Sequence, residues 1–185
     1  MLYYLGTKSH STAYANPHDS GVIEASRSSD NEGQAEDFVG RKKANSCTKN
    51  VANSWMMVDL GFGRALQVDH YCLRHGYKNK NHKLRNWNLE GSNNNIDWTV
   101  LREHNDDTSL AEEAYSESHW DVNSAASNSP YRFFRILKTG KTNSKSQYLC
   151  CCGIELYGMS INVCLCLRLR LSLQLYPWVY MSLCL

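Results

Sequence analysis

From Trp55 onward the chain is built of short apolar runs, each closed by a cluster of turn-forming residues: WMMVDLG (55–61), DHYCLRHG (69–76), SHWDV (118–122), YRFFRIL (131–137) and YLCCCGIELYG (148–158). The runs are rich in aromatic and β-branched residues and too short for buried helices, so each predicts a strand. In LRNWNLEGSNNNIDWTVL (84–101) two such runs flank Gly-Ser-Asn-Asn-Asn, the signature of a hairpin. Trp87 and Leu89 alternate with Asn88 and Glu90, and Trp98 shares a face with Val100, which predicts Trp87 and Trp98 as core anchors. Strands at this spacing, with no long helix between them, define an all-β chain: an antiparallel sandwich or barrel, not alternating βα units.

The first fifty residues are less regular. LYYLG (2–6) and VIEASRS (22–28) are strand candidates, and AEDFVGRKK (35–43) predicts one short helix with two apolar anchors and a glycine near its end. Around them His10 to Asn53 is polar, with turns at Asn16-Pro17 and Asp19-Ser20-Gly21. At 185 residues the chain suits one domain, taken as residues 2–158, plus a tail at 159–185. In that tail Leu fills every odd position from 165 to 175, which reads equally as an amphipathic strand or as translated simple-repeat sequence. Arg168 and Arg170 interrupt it, so it is no membrane span.

A net charge of +2 and a pI near 8.1 create no demand for nucleic acid or membrane. Met1 opens directly into an apolar run, an odd start that suggests a missing N-terminus, and no signal-peptide pattern or Asn-x-Ser/Thr triplet occurs, which points to an intracellular protein. The eight cysteines, at 47, 72, 150, 151, 152, 164, 166 and 184, contain no Cys-x-x-Cys and no zinc-ligand spacing. They are expected to be reduced and partly buried, with no metal and no cofactor.

Nothing in the motifs announces catalysis. Gly-x-Ser-x-Gly, His-Glu-x-x-His, a P-loop and Gly-x-Gly-x-x-Gly are all absent, so no catalytic residue is assigned. His104-Asn105-Asp106-Asp107 has hard oxygen donors but lacks calcium-loop spacing, and predicts a turn. Two basic loops are the candidate binding elements. HGYKNKNHKLR (75–85) offers His75, Tyr77, Lys78, Lys80, His82, Lys83 and Arg85; KTGKTNSKSQY (138–148) offers Lys138, Lys141 and Lys145 ahead of Tyr148. Loops at the end of a sandwich are where such scaffolds present binding groups, and this set would suit an acidic peptide or phosphate-bearing partner.

WMMVDLG, YCLRHGY (71–77), LRNWNLEGS (84–92) and Asp97-Trp98-Thr99 together resemble discoidin or galactose-binding-like jelly rolls. More narrowly, LYYLGT (2–7), LRHGY, LRNW, HNDDTSL (104–110), YRFFRI (131–136), KTGKTNS (138–144) and GIELYG (153–158) are similar to the SAD1/UNC-like domain of large HECT-type E3 ubiquitin ligases; BTB-domain proteins carry similar jelly rolls. The resemblance covers residues 2–158. It implies a galactose-binding-like β-sandwich with at most short helices, acting as a non-catalytic recognition or scaffold module for protein partners. The catalytic HECT domain has no match in this chain, which looks like a fragment. The other function open to the fold is a discoidin-type module for glycan or anionic lipid.

Overall fold

The structure is a computed structural model that describes residues 1–123 and 125–162. Its eight strands are β1 (Glu24–Arg27), β2 (Trp55–Asp59), β3 (Arg64–His75), β4 (Trp87–Ser92), β5 (Thr99–His104), β6 (Glu117–Asp121), β7 (Phe133–Lys138) and β8 (Cys151–Asn162). They form a five-stranded sheet in the order β1-β2-β7-β4-β5 and a three-stranded sheet in the order β6-β3-β8, and every pairing is antiparallel. The all-β sandwich expected from the spacing of apolar runs is therefore the fold.

The sheets face each other across one core. Met56, Val58, Trp87, Leu89, Leu101, Phe134 and Ile136 come from the larger sheet, and Leu66, Tyr71, Leu73, Trp120, Ile154 and Leu156 from the smaller. Alternation does this sorting: in β3, Tyr71 and Leu73 point inward while His70, Cys72 and Arg74 reach the outer face half-buried. A polar line then crosses the core. The Trp87 indole N–H donates to the Tyr71 hydroxyl at 3.1 Å, which contacts His104 Nε2 at 2.6 Å. His104 Nδ1 meets Asp107 Oδ2 at 2.7 Å, and that oxygen also accepts from Trp120 Nε1 at 3.0 Å. Every member has a partner if Tyr71 donates to His104 and the imidazole carries its proton on Nδ1. Burial lowers the His104 pKa, in keeping with a neutral ring, which stacks on Trp87 at 4.0 Å.

Several local expectations are corrected. LYYLG is a helical turn, α1 (Leu2–Gly6), not a strand. The Glu155 carboxylate accepts the N–H groups of Leu2 and Tyr3 at 2.6 and 2.9 Å, so a tertiary acceptor caps a helix that its β-prone residues would not form alone. The short helix expected at 35–43 is a single 3-10 turn, Ala35–Val39, whose apolar anchors Phe38 and Val39 are indeed buried. The strand expected at 69–76 begins five residues earlier: Arg64 to Val68 pair with Asn162 to Gly158, and a bulge between Val68 and His70 realigns the rest. β8 correspondingly runs to Asn162, past Gly158; the Leu-alternating stretch lies outside the described residues. Gly158, at φ +141°, is required where two strands press together, since a Cβ there would meet the Gln67 carbonyl oxygen at 2.0 Å.

Trp87 is fully buried, as expected, but Trp98 is not a core anchor. It precedes β5 on the outer face, half-buried beneath the Arg135 guanidinium at 4.0 Å. Nor are all the cysteines reduced: Cys47 and Cys150 form a disulfide, while Cys72, Cys151 and Cys152 are free. The pairing escaped the sequence because 103 residues separate its ends, and only the fold brings them together. Among the described residues no helix is long and apolar enough to cross a membrane.

Candidate recognition surface

Antiparallel order places the β3–β4 and β7–β8 connections at one end of the sandwich, since the last residue of β3 lies beside the first of β8 (His75 with Cys151) and Trp87 of β4 pairs with Lys138 of β7. The two basic loops singled out in the sequence are therefore neighbours, and hydrogen bonds join them into one surface. Asn143 Oδ1 accepts from the Lys83 backbone N–H at 3.0 Å, and Asn143 Nδ2 donates to the Lys80 carbonyl at 2.7 Å. His82 Nδ1 lies 2.8 Å from Ser146 Oγ and 3.0 Å from Ser144 Oγ, and Asn86 Nδ2 donates to the Lys141 carbonyl at 3.1 Å. Asn and Ser side chains supply these cross-links.

The candidates separate by exposure. Lys78, Lys80, Lys141 and Lys145 are exposed, and Tyr77, His82 and Arg85 are partly so. His75, Lys83 and Lys138 are buried, which corrects the expectation that they lie on the surface. Lys138 ends β7 pointing inward, where its ammonium donates to the Gly140 carbonyl and Gln147 Oε1; burial brings its pKa down to about 8. The Lys83 ammonium is buried with no hydrogen-bond partner, and burial lowers its pKa as well. His75 is pushed down to about 4, first by burial and then by Lys83, so it stays neutral. Its Nε2 faces the Asn79 carbonyl at 3.2 Å.

His82 sits between two tyrosines, with ring centroids 5.2 Å from Tyr77 and 4.9 Å from Tyr148, both edge-on. These three rings, with Asn31, Glu32 and Cys47, line a cleft of about 80 Å³. Lys49 joins the same end, because the Thr48 N–H donates to the Leu149 carbonyl and Asn50 Oδ1 accepts from the Gln147 N–H at 2.6 Å. Sequence reading missed Lys49 and the Asn31–Cys47 wall of the cleft. They lie in the polar first fifty residues, where nothing local signals a neighbour a hundred positions away. A larger hollow of about 650 Å³ lies elsewhere, between residues 14–20 and 36–42, with mixed charges from Asp19, Glu36, Asp37, Arg41 and Lys42.

Burial pushes the Cys72 thiol up to about 11 and raises Cys151 and Cys152, so none is a ready thiolate. The Tyr71–His104–Asp107 line has triad-like order, but Tyr71 is buried and its hydroxyl is engaged by Trp87, so it braces the core. Asp107 Oδ1 accepts from the Ser109 N–H at 2.8 Å, the turn expected for this segment.

The two-sheet architecture is the galactose-binding, discoidin-like jelly roll. A carbohydrate-binding module of Clostridium perfringens solved with GalNAc-β-1,3-galactose aligns at TM-score 0.57 and 13% identity, over 75% of this chain and 96% of that one. A second module from a family 31 glycoside hydrolase of the same organism aligns at 0.59 and 16%, over 76% and 94%. The fucolectin of striped bass (Morone saxatilis) aligns at 0.57 and 18%, over 76% and 46%. At these identities the likeness concerns the fold alone.

No protein-family model matches the chain. In sequence, it is homologous to segments of ubiquitin ligases. It is 33% identical over 170 residues to the E3 ubiquitin-protein ligase Ufd4 of Drosophila melanogaster and 31% identical over 169 residues to the E3 ubiquitin-protein ligase hecd-1 of Caenorhabditis elegans. Each match covers 88% of this chain and 6% of the ligase. The BTB/POZ domain-containing protein At2g30600 of Arabidopsis thaliana is 30% identical over 168 residues, covering 85% of this chain and 20% of that protein. The ligase and BTB resemblances seen in the motifs are thus matched by sequence similarity over most of the chain.

Proposed function

We propose that this chain is a non-catalytic recognition module of an intracellular ubiquitin ligase, and that its basic loop end takes an acidic segment of a protein partner. The observation that carries the reading is the joining of residues 75–86 to residues 138–148, which gathers Lys78, Lys80, Lys141 and Lys145 on one exposed surface. Homology to short segments of two ligases supplies the context, and ubiquitin transfer itself belongs to another part of such a protein. Flexible exposed lysines suit a carboxylate-rich chain that approaches along the surface and is steered by charge.

The glycan reading has support in the sugar-bound structural neighbours and in the Tyr77–His82–Tyr148 cleft. At about 80 Å³ that cleft is far below the roughly 300 Å³ at which small-molecule sites begin, so it does not carry the glycan reading by itself. The test is titration of the chain with a fluorescent Asp/Glu-rich peptide at two salt concentrations. Binding should weaken several-fold at the higher salt and fall at least tenfold when Lys78, Lys80, Lys141 and Lys145 are all changed to Glu. Salt-insensitive binding, or none alongside clear capture on a glycan array, would overturn the reading.

A further inference from the structure

A disulfide joins the 28–54 loop to the head of β8. Cys47 is bonded to Cys150, and both residues are buried. Cys47 Sγ lies 3.7 Å from the Gly76 carbonyl oxygen, and the Cys152 thiol donates to the preceding carbonyl, that of His75, at 3.3 Å. Cys47 also forms part of the wall of the Tyr77–His82–Tyr148 cleft. Backbone contacts hold the pair in register independently of the S–S bond. The Cys47 N–H donates to the Glu32 carbonyl at 2.8 Å, Thr48 N–H to Leu149 at 3.0 Å, and Gly76 N–H to Cys150 at 3.0 Å.

We propose that Cys47 and Cys150 are a reversible redox modification site, a staple between the 28–54 loop and β8 that closes in an oxidising medium and opens in a reducing one. Closure takes a two-electron oxidant, a low-molecular-weight disulfide of the glutathione type. One cysteine thiolate attacks it, forming a mixed disulfide and expelling one thiolate; the second cysteine then displaces the other half. Two protein thiols become one S–S bond, the small disulfide is reduced to two thiols, and the two protons pass to the departing sulfurs. Excess small thiol reverses both steps. The preserved backbone bridges keep the separated sulfurs close enough to reclose, and the staple constrains a loop of about a hundred residues in the unfolded chain.

The test equilibrates the full chain in glutathione buffers of graded oxidised-to-reduced ratio, traps free thiols with an alkylating reagent and maps the peptides by mass spectrometry. Cys47 and Cys150 should lose alkylation together, appear as one cross-linked peptide as the buffer turns oxidising, and return when reductant is added. The linked form should melt higher by about 5 °C or more. The His82 ring resonances should differ between the two forms, because His82 and Cys47 line the same cleft. Cys47→Ser should abolish the redox dependence of melting, while Cys72→Ser should keep it. Independent alkylation of the two cysteines under oxidising conditions would overturn the proposal, as would a bond that persists in the folded protein under excess reductant. If Cys47→Ser does not fold, the alkylation map of the unaltered chain decides. No acidic ligand enters these measurements, so their failure is separate from failure of the recognition reading.

Discussion

At the scale of single residues, the candidate surface contains two lysines that look alike in sequence and differ in surroundings. Lys138 and Lys83 are both buried, but Lys138 has the Gly140 carbonyl and Gln147 Oε1 as acceptors, while the Lys83 ammonium has none. A buried charge without a partner is costly, and replacing it with an apolar side chain of similar length removes that cost. Lys83→Met should therefore raise stability by about 1 kcal/mol in urea unfolding. Lys138→Met strips the donor from two inward-facing acceptors and should lower it by about 1–3 kcal/mol. Equal destabilisation by both changes would contradict this account. Lys138 closes the run YRFFRIL and inherits its alternation, so its inward direction was legible; the cover over Lys83 comes from tertiary packing and was not.

At the scale of elements, the hairpin of β4 and β5 shows what period-two reading achieves and where it stops. Its strands, its Ser92–Asn95 turn and the burial of Trp87 were all legible. Ser92 Oγ accepts the Asn94 and Asn95 N–H groups, and Asn95 sits at φ +59°, the conformation asparagine tolerates. Trp98 was misplaced because alternation says which residues share a face, not which face is the core. A register shift between Leu89 and Glu90 sets β5 so that Leu101 and His104 point inward and Val100 outward with Trp98. Trp87→Ala should consequently cost about 3–5 kcal/mol by emptying a core site that also stacks on His104. Trp98→Ala should cost only about 1 kcal/mol, the loss of a cation–π contact with Arg135 on an outer face. Chemical denaturation of the two variants checks the ratio; comparable losses would mean that Trp98 holds the core after all. The longer pairing of β3 with β8 was hidden for a related reason. RALQV alone is five residues of mixed character, and its partner MSIN follows what looked like the last strand.

For the whole molecule, the antiparallel order separates two kinds of exposed feature. The loops carrying Lys78, Lys80, Lys141 and Lys145 leave the ends of β3 and β7, whereas the Gly61-Phe62-Gly63 and Asn93–Trp98 turns leave the ends of β2 and β4, at the opposite pole. Phe62 and Ile96 are the two most exposed large apolar residues described, at 72% and 78%. Adsorption to an anionic membrane combines apolar insertion with basic attraction on one face, and here the two most exposed apolar residues lie at the pole away from these lysines, with only the half-exposed Val51 beside Lys49 at the lysine end. Charge-led capture of an acidic peptide, as proposed above, would use the lysine pole and need neither Phe62 nor Ile96. Changing Phe62 and Ile96 together to Ser should leave acidic-peptide affinity within twofold of the unaltered chain. Neither the original chain nor this variant should sediment appreciably with phosphatidylserine-containing vesicles at physiological salt. Strong vesicle binding that disappears in the Phe62/Ile96 variant would assign the working surface to the pole away from the lysines, and with it a membrane role in place of peptide recognition.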